Sequence, residues 1–171
     1  MNLLFETGIT KDAIISECGR YRYTLTRIWG DGKLVNFIGL NPSTADAETD
    51  DNTIRKCIKF AKSWGYEGLI MTNLFAYRAT KPKVMMAYSE PVGAENDWHL
   101  EQQAGRADTV IAAWGADGWY QGRAGFILDF LPPDIYALRV SEKTGQPWHP
   151  LYLPDNTKPF LFRAAKNRLQ V

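Results

Sequence analysis

Apolar and polar positions change period several times along the chain, and each change marks an element. Residues 20–29 (Arg-Tyr-Arg-Tyr-Thr-Leu-Thr-Arg-Ile-Trp) alternate with period two and carry aromatic and β-branched side chains, the pattern of a strand. Gly30-Asp31-Gly32-Lys33 reads as a turn and Leu34 to Leu40 as a buried strand, so an N-terminal β-hairpin feeding the first central strand is expected. Ile54, Cys57, Ile58, Ala61 and Trp64 then recur at helical spacing, with Asp50 or Asp51 as cap and Gly65 as stop. Gly68 to Met71 is the second central strand. Residues 76–93 read as irregular loop with short helical pieces, and Glu95 to Gly105 as a helix. Thr109 to Ala113 is a third strand, a helix follows from about Tyr120 to Phe130, and Ile135 to Val140 is a fourth strand. A last helix is expected near Lys158-Pro159, where proline suits a first turn.

Strands alternating with helices predict βαβ units around a mainly parallel sheet. The expected fold is α/β: a three-layer α/β/α sandwich on a central, about four-stranded parallel sheet, preceded by the hairpin. No repeat, linker or low-complexity tract divides the chain, so residues 1–171 are read as a single domain.

Composition narrows this reading only slightly. A net charge of +1 advertises no broad basic face of the kind that tight non-specific nucleic-acid binding needs. Two cysteines, Cys18 and Cys57, and two histidines cannot build a four-cysteine metal or iron–sulfur site. A disulfide between the two cysteines has little to favour it without a secretory signal. The first residues lack the basic start and apolar run of a signal peptide, and no window resembles a membrane span, so a cytoplasmic protein with no membrane partner is expected.

The chemistry sits just past the strands. Leu40-Asn41-Pro42, Thr72-Asn73-Leu74 and His149-Pro150-Leu151 each follow strand-like residues, and in an open parallel sheet the carboxyl ends of the strands converge on one crevice. Asn41-Pro42 is turn punctuation, or else an amide that orients a water. Asn73 is a cap on the next segment, or else a donor and acceptor side by side that match a nucleobase edge. His149 is a solvated loop histidine, or else a donor to an oxygen that gains charge in a transition state. His99, within an amphipathic helix, is expected at the surface. Asp46, Asp50 and Asp51 read as capping and dipole complement, with Asp46 alternatively a base or a metal ligand, though no second ligand set accompanies it. Arg78 and Arg123 are candidate phosphate contacts or ordinary surface arginines.

Taken in order, these motifs and the Trp114-Gly115 step after the third strand resemble the uracil-DNA glycosylase superfamily over residues 34–154. The run Leu40-Asn41-Pro42-Ser43-Thr44-Ala45-Asp46 is also similar to an uncharacterised bacterial and phage family. The first resemblance implies that Asn41 positions the hydrolytic water, Asn73 reads the base and His149 stabilises the leaving group. It further implies substrate contacts at Leu40, Pro42, Ser43, Phe75, Trp114 and Gly115, with Pro150, Leu151 and Tyr152 near the duplex. Asn41 departs from the aspartate of the most active branch. The expected function is an N-glycosylase-like hydrolase that cleaves the base–sugar bond of a damaged, mispaired or modified nucleobase, in DNA, with no cofactor and no metal. The alternatives are an enzyme on a free nucleoside or nucleotide and a non-catalytic nucleobase-binding protein.

Overall fold

The computed structural model describes residues 8–165. Seven strands form one mixed sheet: β1 (Thr10–Ile15), β2 (Arg22–Ile28), β3 (Leu34–Gly39), β4 (Gly68–Asn73), β5 (Thr109–Ala112), β6 (Ile135–Ala137) and β7 (Phe160–Arg163), in the order β1-β2-β4-β3-β5-β6-β7. The four central strands β4, β3, β5 and β6 run parallel, while β1, β2 and β7 pair antiparallel at the two edges. Between them lie α1 (Asn52–Ser63), α2 (Pro82–Ala87), α3 (Asn96–Arg106) and α4 (Arg123–Phe130). No helix among the described residues is long and apolar enough to cross a membrane.

Alternation along the strands sorts the core into two clusters. Val35, Phe37, Leu69 and Met71 pack with Ile54, Cys57, Phe60 and Ala61 of α1. Ile38, Val110, Ala112 and Ile135 pack with Leu100 and Ala104 of α3 and Ala124 and Ile127 of α4. The chain leaves β3 for β4 on one side and later returns to β5 on the other, which opens a crevice outside the carboxyl ends of these strands.

Several local expectations need correction. The hairpin is made by β1 and β2, not by residues 20–29 and 34–40: β2 pairs with β4, which separates it from β3. The Gly30–Lys33 turn therefore carries the chain past a neighbour. The helix expected from Tyr120 begins only at Arg123, because Gln121 and Gly122 both have positive φ and break a short 3-10 turn away from α4. The fourth strand ends at Ala137, and Val140 makes only an isolated bridge to Pro147. The final helix is instead strand β7. Pro159 stands just before an edge strand whose aromatic run pairs with β6, and proline is tolerated there; the part of that expected helix beyond residue 165 lies outside the described residues. His99 is buried, not at the surface, with its ring stacked on Tyr23 at 4.9 Å. Both cysteines are free thiols, Cys18 exposed and Cys57 in the core.

Candidate functional site

The crevice is built from strand ends. Gly39 and Asn73 stand side by side as parallel partners at the ends of β3 and β4, and Trp114-Gly115 follow β5 after Ala113. Leu74 N–H donates to the Gly39 carbonyl at 2.9 Å, so the two strand ends stay zipped past their last regular pair. A Cβ at position 39 would lie 2.7 Å from Asn73 Oδ1, so glycine is what leaves room for that amide. Gly115 turns with φ 76°, a conformation few other residues adopt, and its N–H reaches the Pro147 carbonyl, which draws the 147–152 segment over the crevice.

The resulting cavity is about 610 Å³, well within the size range of small-molecule sites. Asn41, Asn73 and His149 all line it, as do Leu40, Ser43, Trp114, Gly115, Leu151 and Tyr152. Arg22, Thr44, Asp51, Thr53, Thr80 and Asp117 join them. Pro42, Phe75, Pro150, Arg78 and Arg123 do not line it. Pro42 and Pro150 are buried, and Phe75 packs into the core beside Tyr120 at 5.6 Å.

The two arginines expected at phosphates have other attachments. Arg123 donates to the Leu74 carbonyl through Nε and Nη2 and pairs with Asp97 at 2.8 Å. Asn96 Nδ2 donates to the Asn73 and Leu74 carbonyls, so Arg123 and Asn96 together clamp the end of β4 from behind. Burial in that clamp removes Arg123 from any surface track. Arg78 reaches the Gly19 carbonyl at 3.4 Å and lies outside the lining.

Each lining polar group has a definite disposition. Asn41 spends its Nδ2 on the Pro42 and Ala79 carbonyls, at 3.1 and 2.8 Å, which leaves Oδ1 as an acceptor. Asn73 is 2% exposed and its Nδ2 meets no partner among the described residues. His149 Nδ1 accepts from Leu151 N–H at 3.2 Å, so the neutral ring carries its proton on Nε2. Burial lowers the His149 pKa below its ordinary 6.5, against the pull of Asp51, and keeps the ring neutral near pH 7. Asp51 caps α1 by accepting from Ile54 N–H at 2.9 Å while it also faces the crevice.

The loop between β3 and α1 is held against β2. Arg27 donates from Nε to Asp50 at 2.8 Å and from Nη2 to the Asp46 carbonyl at 2.6 Å, and Arg22 Nη1 donates to the Ala45 carbonyl at 2.9 Å. Asp46 itself closes the loop by accepting from the Glu48 and Thr49 N–H groups. Sequence reasoning misses Arg22 and Asp51 as site residues. A helix-capping role gives Asp51 a complete local explanation, and Arg22 sits on an alternating strand where arginine marks a solvent face.

The two histidines make stability sensitive to acid. Burial holds both His99 and His149 below 6.5, so the unfolded chain takes up protons first as pH falls. Stability is complete above that value and declines as pH drops through the folded-state values. Melting temperatures between about pH 7.5 and about pH 5 test this; a constant value across that window would refute it.

No curated protein and no solved structure matches the chain. The family model that does match is not one of a uracil-DNA glycosylase, so the likeness drawn from the strand-end motifs is corrected. Polar residues after successive parallel strands are what any crevice of this topology requires, and their order alone does not assign a superfamily. Residues 22–151, which hold the central sheet and nearly all of the crevice lining, match the family described as "Protein of unknown function (DUF1643)", and the chain belongs to that family.

Proposed function

We propose that the crevice binds a nucleobase-bearing substrate and hydrolyses its base–sugar bond. The observation that carries this reading is the meeting of the buried Asn73 amide and the neutral His149 Nε2–H in one cavity walled by Trp114. An amide offers a donor beside an acceptor, the complement of a pyrimidine-like edge, and its Nδ2 has no protein partner to compete. Leu40, Met71 and Trp114 supply apolar surface for a flat ring. A neutral histidine donates to the oxygen of the departing base, and that hydrogen bond strengthens as charge builds there.

Asn41 Oδ1 holds the attacking water, and the Asp51 carboxylate takes its proton. As the water oxygen bonds to the anomeric carbon, the carbon–nitrogen bond breaks and its electron pair leaves with the base, through an oxocarbenium-like sugar. The proton returned from Asp51 neutralises the base. Asp51 thereby supplies the carboxylate that Asn41 lacks. The two core clusters on opposite sides of the sheet support a three-layer α/β/α arrangement around this site. A second reading, a base presented in a nucleic-acid strand, draws on Leu151 and Tyr152, which stand exposed at the mouth where they can pack beside a neighbouring base.

The test is base release from free nucleosides, nucleotides and uracil-containing, mismatched or modified duplexes. Asp51→Asn keeps a good helix cap and removes the base, so cleavage should fall about 10²–10⁴-fold with the fold intact. Full activity in that variant would remove Asp51 from the mechanism, and release from no substrate would refute hydrolysis.

A further inference from the structure

Three arginines are buried among the described residues, and two of them have a carboxylate partner: Arg27 with Asp50 and Arg123 with Asp97, each at 2.8 Å. Arg22 is different. It is 2% exposed, yet no carboxylate of the described residues lies within 4.0 Å of it. Its Nη1 donates to the Ala45 carbonyl, and its Nε has no partner among the described residues. A guanidinium taken out of water without a counter-charge is costly, and such a group persists where something else completes it. Arg22 lines the crevice.

The surroundings of Arg22 are those of an oxyanion cradle. Ser43 and Thr44 precede Ala45, whose carbonyl Arg22 holds, and both hydroxyl-bearing residues line the same cavity. Asn52, Thr53 and Ile54 of the first turn of α1 line it as well, with the Ile54 N–H already taken by the Asp51 cap. Of the charged groups facing Arg22, Asp51 and Asp46 oppose Arg27 and Arg78. With Arg27 paired to Asp50, the two carboxylates face Arg78 alone, so Arg22 is the charge that offsets them and the donor that an incoming anion meets.

We propose that Arg22, Ser43, Thr44 and the first turn of α1 form a phosphate subsite, and that the substrate is a nucleoside monophosphate. This rests on the base-binding reading for the other half of the crevice, where Asn73, Trp114 and His149 lie. The phosphate enters beside Arg22 and the base reaches Asn73, with the sugar between them near Asp51. The burial of Arg22 itself, at 2% exposure, suits the terminal phosphate of a small molecule rather than the backbone of a polymer.

Calorimetric titration of the wild type with inorganic phosphate, against chloride at equal ionic strength, tests the subsite without requiring any cleavage. Saturable phosphate binding is expected, weakened at least about tenfold in Arg22→Gln, a variant that removes the charge and keeps a polar amide at the level of Nε. Uridine monophosphate should bind more tightly than either phosphate or uridine. Absence of saturable phosphate binding, or unchanged affinity in Arg22→Gln, would overturn the proposal. Tighter Arg22-dependent binding of a single-stranded oligonucleotide than of the nucleotide would overturn the small-molecule source. If Arg22→Gln does not fold, the Arg22 Nε–Hε resonance of the wild type decides instead: it should move on phosphate addition, and a static resonance refutes the subsite. Nucleotide binding through Arg22 without base release leaves the subsite standing and removes the hydrolysis.

Discussion

His149→Ala should lower the rate of base release by about 10²–10³-fold, the usual effect of removing one donor to a developing oxyanion. The ring is fixed for that task. Leu151 N–H occupies Nδ1, so Nε2 alone carries the proton, and burial keeps the ring uncharged. A neutral donor does not have to lose a proton to bind the departing oxygen, and it adds no charge to the crevice. The loss should appear in the single-turnover rate rather than in substrate affinity, because the hydrogen bond is strongest only as the bond breaks. The melting temperature should change little, since His149 is only part-buried and its Leu151 partner is exposed to water. His149→Gln, which restores an N–H donor, should recover part of the rate. Equal single-turnover rates in His149→Ala and wild type would sink the leaving-group role.

Trp114→Ala should be among the most damaging single changes to the fold, at about 3–5 kcal/mol of stability. Trp114 is 1% exposed and sits where the second core cluster meets the crevice. Its Nε1 donates to Gln146 Oε1 at 2.8 Å, and the absence of a Cβ at Gly118 is what admits its ring, since that atom would overlap Trp114 Cδ1. Truncation leaves a void, strands the Gln146 oxygen and removes the wall against which a base would lie. Trp114→Phe refills most of the void and isolates the lost hydrogen bond, at about 1–3 kcal/mol. Trp119→Ala is the matched control: Trp119 is 62% exposed, and its loss should stay within about 0.5 kcal/mol. Denaturant unfolding of the three variants measures these values. A loss below about 1 kcal/mol for Trp114→Ala would show that the ring is not a packing element.

The central strands are legible in the sequence because three apolar runs, at Leu34–Leu40, Gly68–Met71 and Thr109–Ala113, are each bounded by polar residues or glycine. Parallel strands put their ends on one side, and for this reason the linear order of motifs is enough to group Asn41, Asn73 and Trp114 at one crevice. The failures have local causes. The alternation in residues 20–29 puts Arg22 beside Thr24 and Arg27 beside Leu25 on opposite faces and signals burial at neither, but β2 lies between β1 and β4 with the 41–51 loop held against it, and Arg22 and Arg27 are both buried. Lys158-Pro159 is equally good at opening a helix or preceding an edge strand, and the pairing of Phe160 and Leu161 with β6 decides the matter from residues far away in sequence. Arg123 carries no local sign that its charge is spent on Asp97 and the Leu74 carbonyl. Asp51 satisfies the rule for a helix cap and also faces the cavity; a residue with two roles shows only the local one in a linear reading.

The arginines of β2 grip the 41–51 loop by its carbonyls and by Asp50, and that attachment bears on how the site can diversify. Arg22 and Arg27 hold a segment whose own residues, Asn41, Ser43, Thr44 and Asp51, line the crevice. Grafting that segment alone into another α/β scaffold would carry its side chains without the framework that aims them. The unit that carries the crevice's shape is the loop together with its strand, so a change that reshapes this wall should involve the two stretches as a pair rather than either one alone.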